Sequence, residues 1–277
     1  MGTELRDLQI TETKMFFELL DFFAKNNIRY YALAGTFLGA VRHKGFIPWD
    51  DDIDIGIPRN DYDKLIKLVK EDKKIGKLVV KYYLFDQSLI HYPLRVICPD
   101  VKVYQRQGEN IVETEPWITI FPLDGMPENS FLRYIHCRLL LWERKKFISA
   151  RFEKIIDPAR ENKSAIRKFI VKILNTTKIY KLLGEKRTFE SMDRMLKKYP
   201  VDSSNYVFTL MGGYKLKELF PKSVFGKGAE YQFEGRKIIG PEDYETYLTQ
   251  IYGDWRTPLP PSERGHHYKL KKNQDSE

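Results

Sequence analysis

Between Pro48 and Gly56 the chain reads Pro-Trp-Asp-Asp-Asp-Ile-Asp-Ile-Gly, which puts Asp50, Asp51, Asp52 and Asp54 within five residues. Ile53, Ile55 and Ile57 alternate with Asp52, Asp54 and Gly56. At a side-chain period of two, the isoleucines face a core and the two aspartates face one cleft. Carboxylates a few ångströms apart repel, and their pKa values separate unless something positive lies between them. A hard divalent cation with oxygen ligands resolves that conflict, most simply Mg²⁺ held by Asp52 and Asp54 together with a substrate's phosphates. A solvated acidic turn would have no use for the alternating isoleucines. The spacing of Asp50, Asp52 and Asp54 also opens an EF-hand loop. That loop needs Gly at its sixth position and Glu at its twelfth, where this chain has Ile55 and Asp61, so the calcium-loop reading fails.

The elements that must position these aspartates lie just upstream. Ile28 to Ala34 reads as an aromatic-rich strand that ends in Gly35-Thr36 and is followed by a helix from Phe37 to Arg42. Backbone N–H groups at such a helix start suit a phosphate, and Gly35 and Gly39 let a ligand approach the backbone. Arg42, His43 and Lys44 add positive charge. Gly35, Thr36, Arg42, His43 and Lys44 are therefore candidate binding residues for a phosphorylated ligand. Around this unit, Thr11 to Asn27 and Asn60 to Lys70 carry helical periodicity, while Lys77 to Phe85, Pro93 to Ile97 and Pro116 to Phe121 read as strands. From Ser130 the character changes to long basic helices. Phe131, Ile135, Leu139, Trp142, Ile148, Phe152 and Ile155 form an apolar stripe, and Arg133, Arg138, Arg144, Lys145, Lys146, Arg151 and Lys154 load the other faces. A second basic helical stretch runs from Lys163 to Lys198. Gly235 and Gly240-Pro241 mark a hairpin, after which Pro241 opens a helix ending near Gly253. The tail after Leu270 is low in apolar content and reads as disordered.

The continuous segment from Leu33 to Gly56 closely resembles the signature of the LicD family, which includes the fukutin-related proteins. Phe121-Pro122-Leu123-Asp124 and Tyr252-Gly253-Asp254-Trp255, with the Pro-rich run from Thr257 to Pro261, extend the resemblance over nearly the whole chain. It implies an α/β (α+β) fold, a nucleotidyltransferase-like mixed sheet with an added helical region. The implied activity is transfer of a phosphorylated alcohol from a CDP-linked donor, CDP-choline being favoured, to a sugar hydroxyl of a teichoic acid or surface glycan precursor. In many relatives the central motif reads Asp-Ile-Phe-Pro-Leu-Asp, and its first Asp resembles a third site carboxylate. This chain has Thr119 there. Asp124, Glu115 or Asp50 then supplies the missing function, or Asp52, Asp54 and the donor diphosphate hold the metal alone, which is the reading preferred here. Asp50 and Asp124 are the candidate bases for the acceptor hydroxyl. Two alternatives remain: a true nucleotidyltransferase moving a nucleoside monophosphate, and a non-catalytic glycan- or lipid-binding relative.

The segments divide into a catalytic core over 1–129, a basic helical region over 130–200, and a C-terminal part over 201–277 that completes the site. A chain of 277 residues, 42% of them hydrophobic, can bury a full core. Only two cysteines occur, too few for a disulfide framework or zinc site, which fits a reducing, cytoplasmic compartment. The N-terminal stretch carries Asp7, Glu12, Glu18 and Asp21 and no apolar run, so it does not read as a signal peptide. The net charge of +9 fits an anionic partner. No nucleic-acid-binding signature accompanies it, so no nucleic-acid partner is expected. A lipid-linked or polymeric glycan acceptor at the anionic inner membrane face, with the protein bound peripherally, suits the basic amphipathic segments better. Tyr30, Tyr31, Tyr82, Tyr83, Tyr92, Trp117 and Trp255 are candidates for an aromatic cage around a quaternary ammonium group, and His266-His267 for phosphate contact.

Overall fold

The computed structural model describes residues 3–86, 91–107, 110–151 and 183–264. The expectations for Phe152, Lys154 and Ile155, for most of the stretch from Lys163, for His266-His267 and for the tail lie outside the described residues.

Helix α1 (Thr3–Lys25) starts earlier than its apolar periodicity and buries Met15, Phe16, Leu19, Leu20 and Phe23, which recur on one face. The run from Ile28 forms only a two-residue strand, β1 (Tyr31–Ala32), because α2 (Ala34–His43) begins before the expected turn. Gly35 and Thr36 consequently sit in the first helical turn. Strand β2 (Ile53–Pro58) pairs antiparallel with β1, buries Ile53, Ile55 and Ile57 completely, and passes directly into α3 (Arg59–Val69).

On its other edge β2 runs parallel to β8 (Trp117–Met126), with Asp54 opposite Thr119. The sheet continues antiparallel through β5 (Leu94–Ile97), β4 (Leu78–Lys81) and β3 (Lys74–Ile75). The far half of β8, including Asp124, pairs with β9 (Tyr206–Phe208), which pairs with β10 (Leu219–Pro221). The result is the expected mixed α+β sheet, of eight strands. Two hairpins stand apart from it: β6 (Val103–Gln107) with β7 (Asn110–Thr114), and β11 (Ala229–Phe233) with β12 (Arg236–Gly240). The second turns through Glu234 and Gly235, both at positive φ as a tight two-residue hairpin requires.

The remaining helices are α4 (Ser130–Ala150), α5 (Glu185–Leu196), α6 (Lys222–Phe225) and α7 (Tyr244–Tyr252). Asp243 rather than Pro241 opens α7, its carboxylate accepting the Thr246 N–H at 3.0 Å. One hydrophobic cluster runs from Met15 to Trp255 and takes in Cys137, Leu140 and Phe147 of α4 and Phe189, Met192 and Leu196 of α5. The stripe read from Phe131, Ile135, Leu139 and Trp142 faces solvent, and α4 packs instead through its opposite side. Among the described residues no helix is long and apolar enough to cross a membrane.

Candidate active site

The parallel pairing of β2 with β8 and the short β1 leave the end of β2 open between α2 and the C-terminal segments. A cavity of about 520 Å³ occupies that position. Its acidic lining comprises Asp50, Asp52, Asp54, Glu218 and Asp254, and its aromatic walls include Trp49, Tyr214, Tyr247, Tyr252 and Trp255.

Asp52 and Asp54 both line the cavity, as the alternation with isoleucines requires. The backbone of Asp54 is fixed by its N–H donating to Thr36 Oγ1 at 2.9 Å, so the buried Thr36 hydroxyl positions the aspartate strand and does not line the cavity itself. The Thr119 side chain hydrogen-bonds to the Asp54 carboxylate. Burial, followed by the charges of Asp52, Asp50 and Glu218, pushes the Asp54 carboxyl well above the ordinary carboxylate range, against which the Thr119 bond pulls weakly. Asp50 seats its carboxylate over the first turn of α2. A Cβ at Gly35 would press on Asp50 Oδ2, so the close approach there is to the movable end of this aspartate.

Arg42 lines the cavity and donates from Nη1 to the Trp255 carbonyl at 2.6 Å, tying α2 to the segment after α7. His43 and Lys44 do not line it. His43 Nδ1 accepts from Arg42 Nε at 3.4 Å with its ring edge-on to Trp49, and Lys44 closes α2 in the left-handed conformation. Asp124 is also outside the cavity. It receives Arg59 Nε at 2.6 Å and Nη2 at 2.8 Å as a buried bidentate pair, which occupies both of its oxygens and removes it as a candidate for acceptor deprotonation. Glu115 pairs with Lys102 at 2.8 Å and is likewise elsewhere.

Glu218 lines the same cavity, though no sequence motif marks it. It ends a short 3-10 turn before β10, is only 9% exposed, and accepts the Tyr214 N–H at 2.7 Å. Burial raises its carboxyl to about 7, opposed by that N–H and by the charge of Arg144. Arg144 in turn donates to the Leu210 and Gly212 carbonyls at 2.6 and 3.1 Å, holding the loop that carries Gly212, Gly213 and Tyr214 to the cavity. Leu210-Met211-Gly212-Gly213-Tyr214 between two short strands was the available signal: paired glycines beside an aromatic, ahead of an acid. Beneath the aspartate loop, Glu12 of α1 is fully buried and neither oxygen finds a hydrogen-bond partner among the described residues. Burial and then the charges of Asp52, Asp51, Asp50 and Asp54 push it well up.

The aromatic candidates divide in the same way. Tyr31, Tyr82, Tyr83 and Tyr92 are buried in the core, whereas Trp255 reaches the cavity beside Tyr252 and Tyr214, whose rings meet edge-on at 5.3 Å. The buried Trp255 indole N–H has no hydrogen-bond partner among the described residues. Among those residues no three His, Cys, Asp or Glu side chains converge to hold a metal by themselves. The donor set that remains, two carboxylates opening on a cavity with space for phosphate oxygens, fits Mg²⁺, which commonly completes its shell with phosphate and water.

Comparison with known proteins places the chain beside characterised and uncharacterised sequences. Over 271 residues the chain is 27% identical to the lipopolysaccharide cholinephosphotransferase LicD of Haemophilus influenzae, covering 90% of this chain and 92% of that protein. It is 33% identical over 107 residues to an uncharacterized protein of Rickettsia prowazekii, covering 39% of this chain and 36% of the other. It is 35% identical over 88 residues to an uncharacterized protein of Rickettsia typhi, covering 32% and 26%. Residues 27–122, which contain α2, β2 and most of β8, match the sequence model of the LicD/FKTN/FKRP nucleotidyltransferase domain.

Proposed function

We propose that this chain transfers phosphocholine from CDP-choline to a sugar hydroxyl of a lipopolysaccharide-type or teichoic-acid-type glycan, releasing CMP. The observation that carries this reading is a single cavity with a carboxylate floor and aromatic walls. A trimethylammonium group is attracted both to aromatic faces and to nearby carboxylates, and a diphosphate is compatible with the same floor once a divalent cation is bound. The full-length likeness to a lipopolysaccharide cholinephosphotransferase supports the choice of alcohol.

In this mechanism Asp52 and Asp54 are the ligands that would hold Mg²⁺, which when bound stabilises the negative charge of the diphosphate and of the departing CMP. Arg42, at the cavity wall, offsets charge on the phosphate oxygens. Glu218 takes the proton from the acceptor hydroxyl. A carboxylate raised to about 7 suits this role, since a general base works best with a pKa near the working pH. Asp50 is the second candidate, and its seat on Gly35 keeps it facing the cavity. The acceptor oxygen forms its bond to the distal phosphorus as the bond from that phosphorus to the bridging oxygen of CMP breaks in line, and the hydroxyl proton ends on the carboxylate.

Incubating the chain with Mg²⁺, an acceptor glycan and, in turn, CDP-choline, CDP-ethanolamine, CDP-glycerol or CDP-ribitol tests this reading. CMP release with CDP-choline is expected. Pyrophosphate release from a nucleoside triphosphate would favour true nucleotidyl transfer, and binding without turnover on any CDP-alcohol would favour a non-catalytic relative.

A further inference from the structure

Helix α4 carries on its outward face a continuous apolar strip: Phe131 is 68% exposed, Trp142 57%, Leu139 44% and Ile135 38%. With Arg138 and Lys145 these residues recur at three- and four-residue steps and so occupy one side of the helix. A strip of this size in contact with water is costly, and soluble proteins keep such patches for an interaction. We infer that this face of α4 docks on an anionic lipid surface.

Charge and composition select that occupant. Arg138 and Lys145 are exposed at the edges of the strip, and Lys145 Nζ lies 6.0 Å from the ring centroid of Trp142. The only acidic residue of α4, Glu143, is buried one turn on from Leu139 and its charge is met by Lys146 at 2.6 Å. Aromatic and branched apolar side chains bordered by cations, with no acid among them, are what an interfacial helix needs to seat its apolar side among acyl chains and its cations among anionic headgroups. The excess of 47 Lys and Arg over 38 Asp and Glu in the whole chain favours the same surface. The inward side of α4 fixes the orientation of the site, because Arg144 holds the Gly212 carbonyl at the cavity wall. Docking through the outward side would therefore present the cavity at a set height above lipid. The inference is independent of the transfer reaction, since it is read by binding alone.

Flotation of the full chain with vesicles tests it. Binding to vesicles of phosphatidylglycerol and phosphatidylcholine, absent with phosphatidylcholine alone and falling steeply with salt, is the expected result. Arg138→Glu combined with Lys145→Glu should weaken binding by about 30-fold or more, taking roughly fivefold for each lost cation. Leu139→Ser combined with Trp142→Ser should abolish it. Both pairs are exposed, so circular dichroism should show an unchanged fold. Equal binding by wild type and variants, binding to neutral vesicles as strong as to anionic ones, or no binding to either would overturn the inference. In a second measurement, Leu139→Cys should react rapidly with a soluble maleimide in the free chain and become protected when anionic vesicles are added. Protection in the free chain would show that this face is already covered, and would equally overturn it.

Discussion

Two buried acidic regions lie on opposite ends of β8, and they have been treated in opposite ways. At one end Asp124 is neutralised from within the fold. Arg59 grips both its oxygens, the Arg59 guanidinium also reaches Tyr92 Oη at 3.2 Å, and that hydroxyl donates to Asp193 at 2.7 Å, so α3, β8 and α5 are pinned together. At the other end Thr119 faces Asp54, and Asp50, Asp52, Asp54 and Glu218 share a cavity to which the chain contributes chiefly Arg42 as a cation. The same carboxylate chemistry holds the structure together where its charge is internally balanced. It becomes a site where the balancing charge must come from a ligand.

Disturbing the unbalanced end should produce the largest effect. Asp52→Asn or Asp54→Asn keeps shape and removes charge, so turnover should fall by several orders of magnitude while the fold persists. The same variants should melt at higher temperature than wild type in the absence of divalent cation, because repulsion is relieved. A lower melting temperature would show these carboxylates to be structural. Glu218→Gln should cost about 10²–10⁴-fold in turnover and flatten a pH profile that in wild type rises through about pH 7. A retained profile would pass the base role to Asp50.

At the balanced end the effect should appear in stability and not in chemistry. Asp124→Asn removes the bidentate partner of Arg59 and leaves it only the longer pairs with Asp63 at 3.7 Å and Asp193 at 3.6 Å, so it should cost about 3 kcal/mol in chemical denaturation, with turnover per folded molecule close to wild type. A large loss of turnover in a fully folded Asp124→Asn variant would erase the distinction between the two regions.

A smaller and signed effect comes from pH. Glu218 titrates near 7 in the folded chain against an ordinary 4.5, so between those values the native state holds a proton that the unfolded state has lost. Its contribution is fully present below about pH 4.5 and is lost as pH rises to about 7, at most about 3 kcal/mol, and the upward shift of Asp54 acts in the same direction. Melting the chain with chelator at pH 5 and pH 8 should show this loss, and Mg²⁺ should reverse it at pH 8 only. Stability that rises over this interval, or no response to Mg²⁺, would contradict the assignment. Thr119→Ala should change turnover least, since its hydroxyl only lowers Asp54 slightly from the adjacent strand.

The sequence was most legible where a period could be read. Alternating isoleucines placed Asp52 and Asp54 together, and Tyr252 to Trp255 does reach the same cavity. Legibility failed where a partner decides the role. Nothing near Asp124 in sequence announces Arg59, 65 positions earlier, and nothing near Glu218 announces that burial beside Asp54 will raise it. The outward stripe of α4 has the same cause: helical spacing groups Phe131, Ile135, Leu139 and Trp142 on one side but does not say which side the core takes, and here Cys137, Leu140 and Phe147 take it. Helix α2 likewise starts early enough to turn Thr36 from a supposed phosphate contact into the residue that fixes Asp54.

The most direct test follows phosphorus by ³¹P NMR while the chain acts on CDP-choline with Mg²⁺ and a glycan acceptor, comparing wild type, Asp54→Asn and Asp124→Asn at equal folded concentration. The account predicts that CMP appears in step with a choline phosphodiester on the acceptor, that Asp54→Asn abolishes both signals, and that Asp124→Asn leaves them near wild type. Transfer of the CMP group to the acceptor with release of phosphocholine, or CMP release by Asp54→Asn at the wild-type rate, would contradict it.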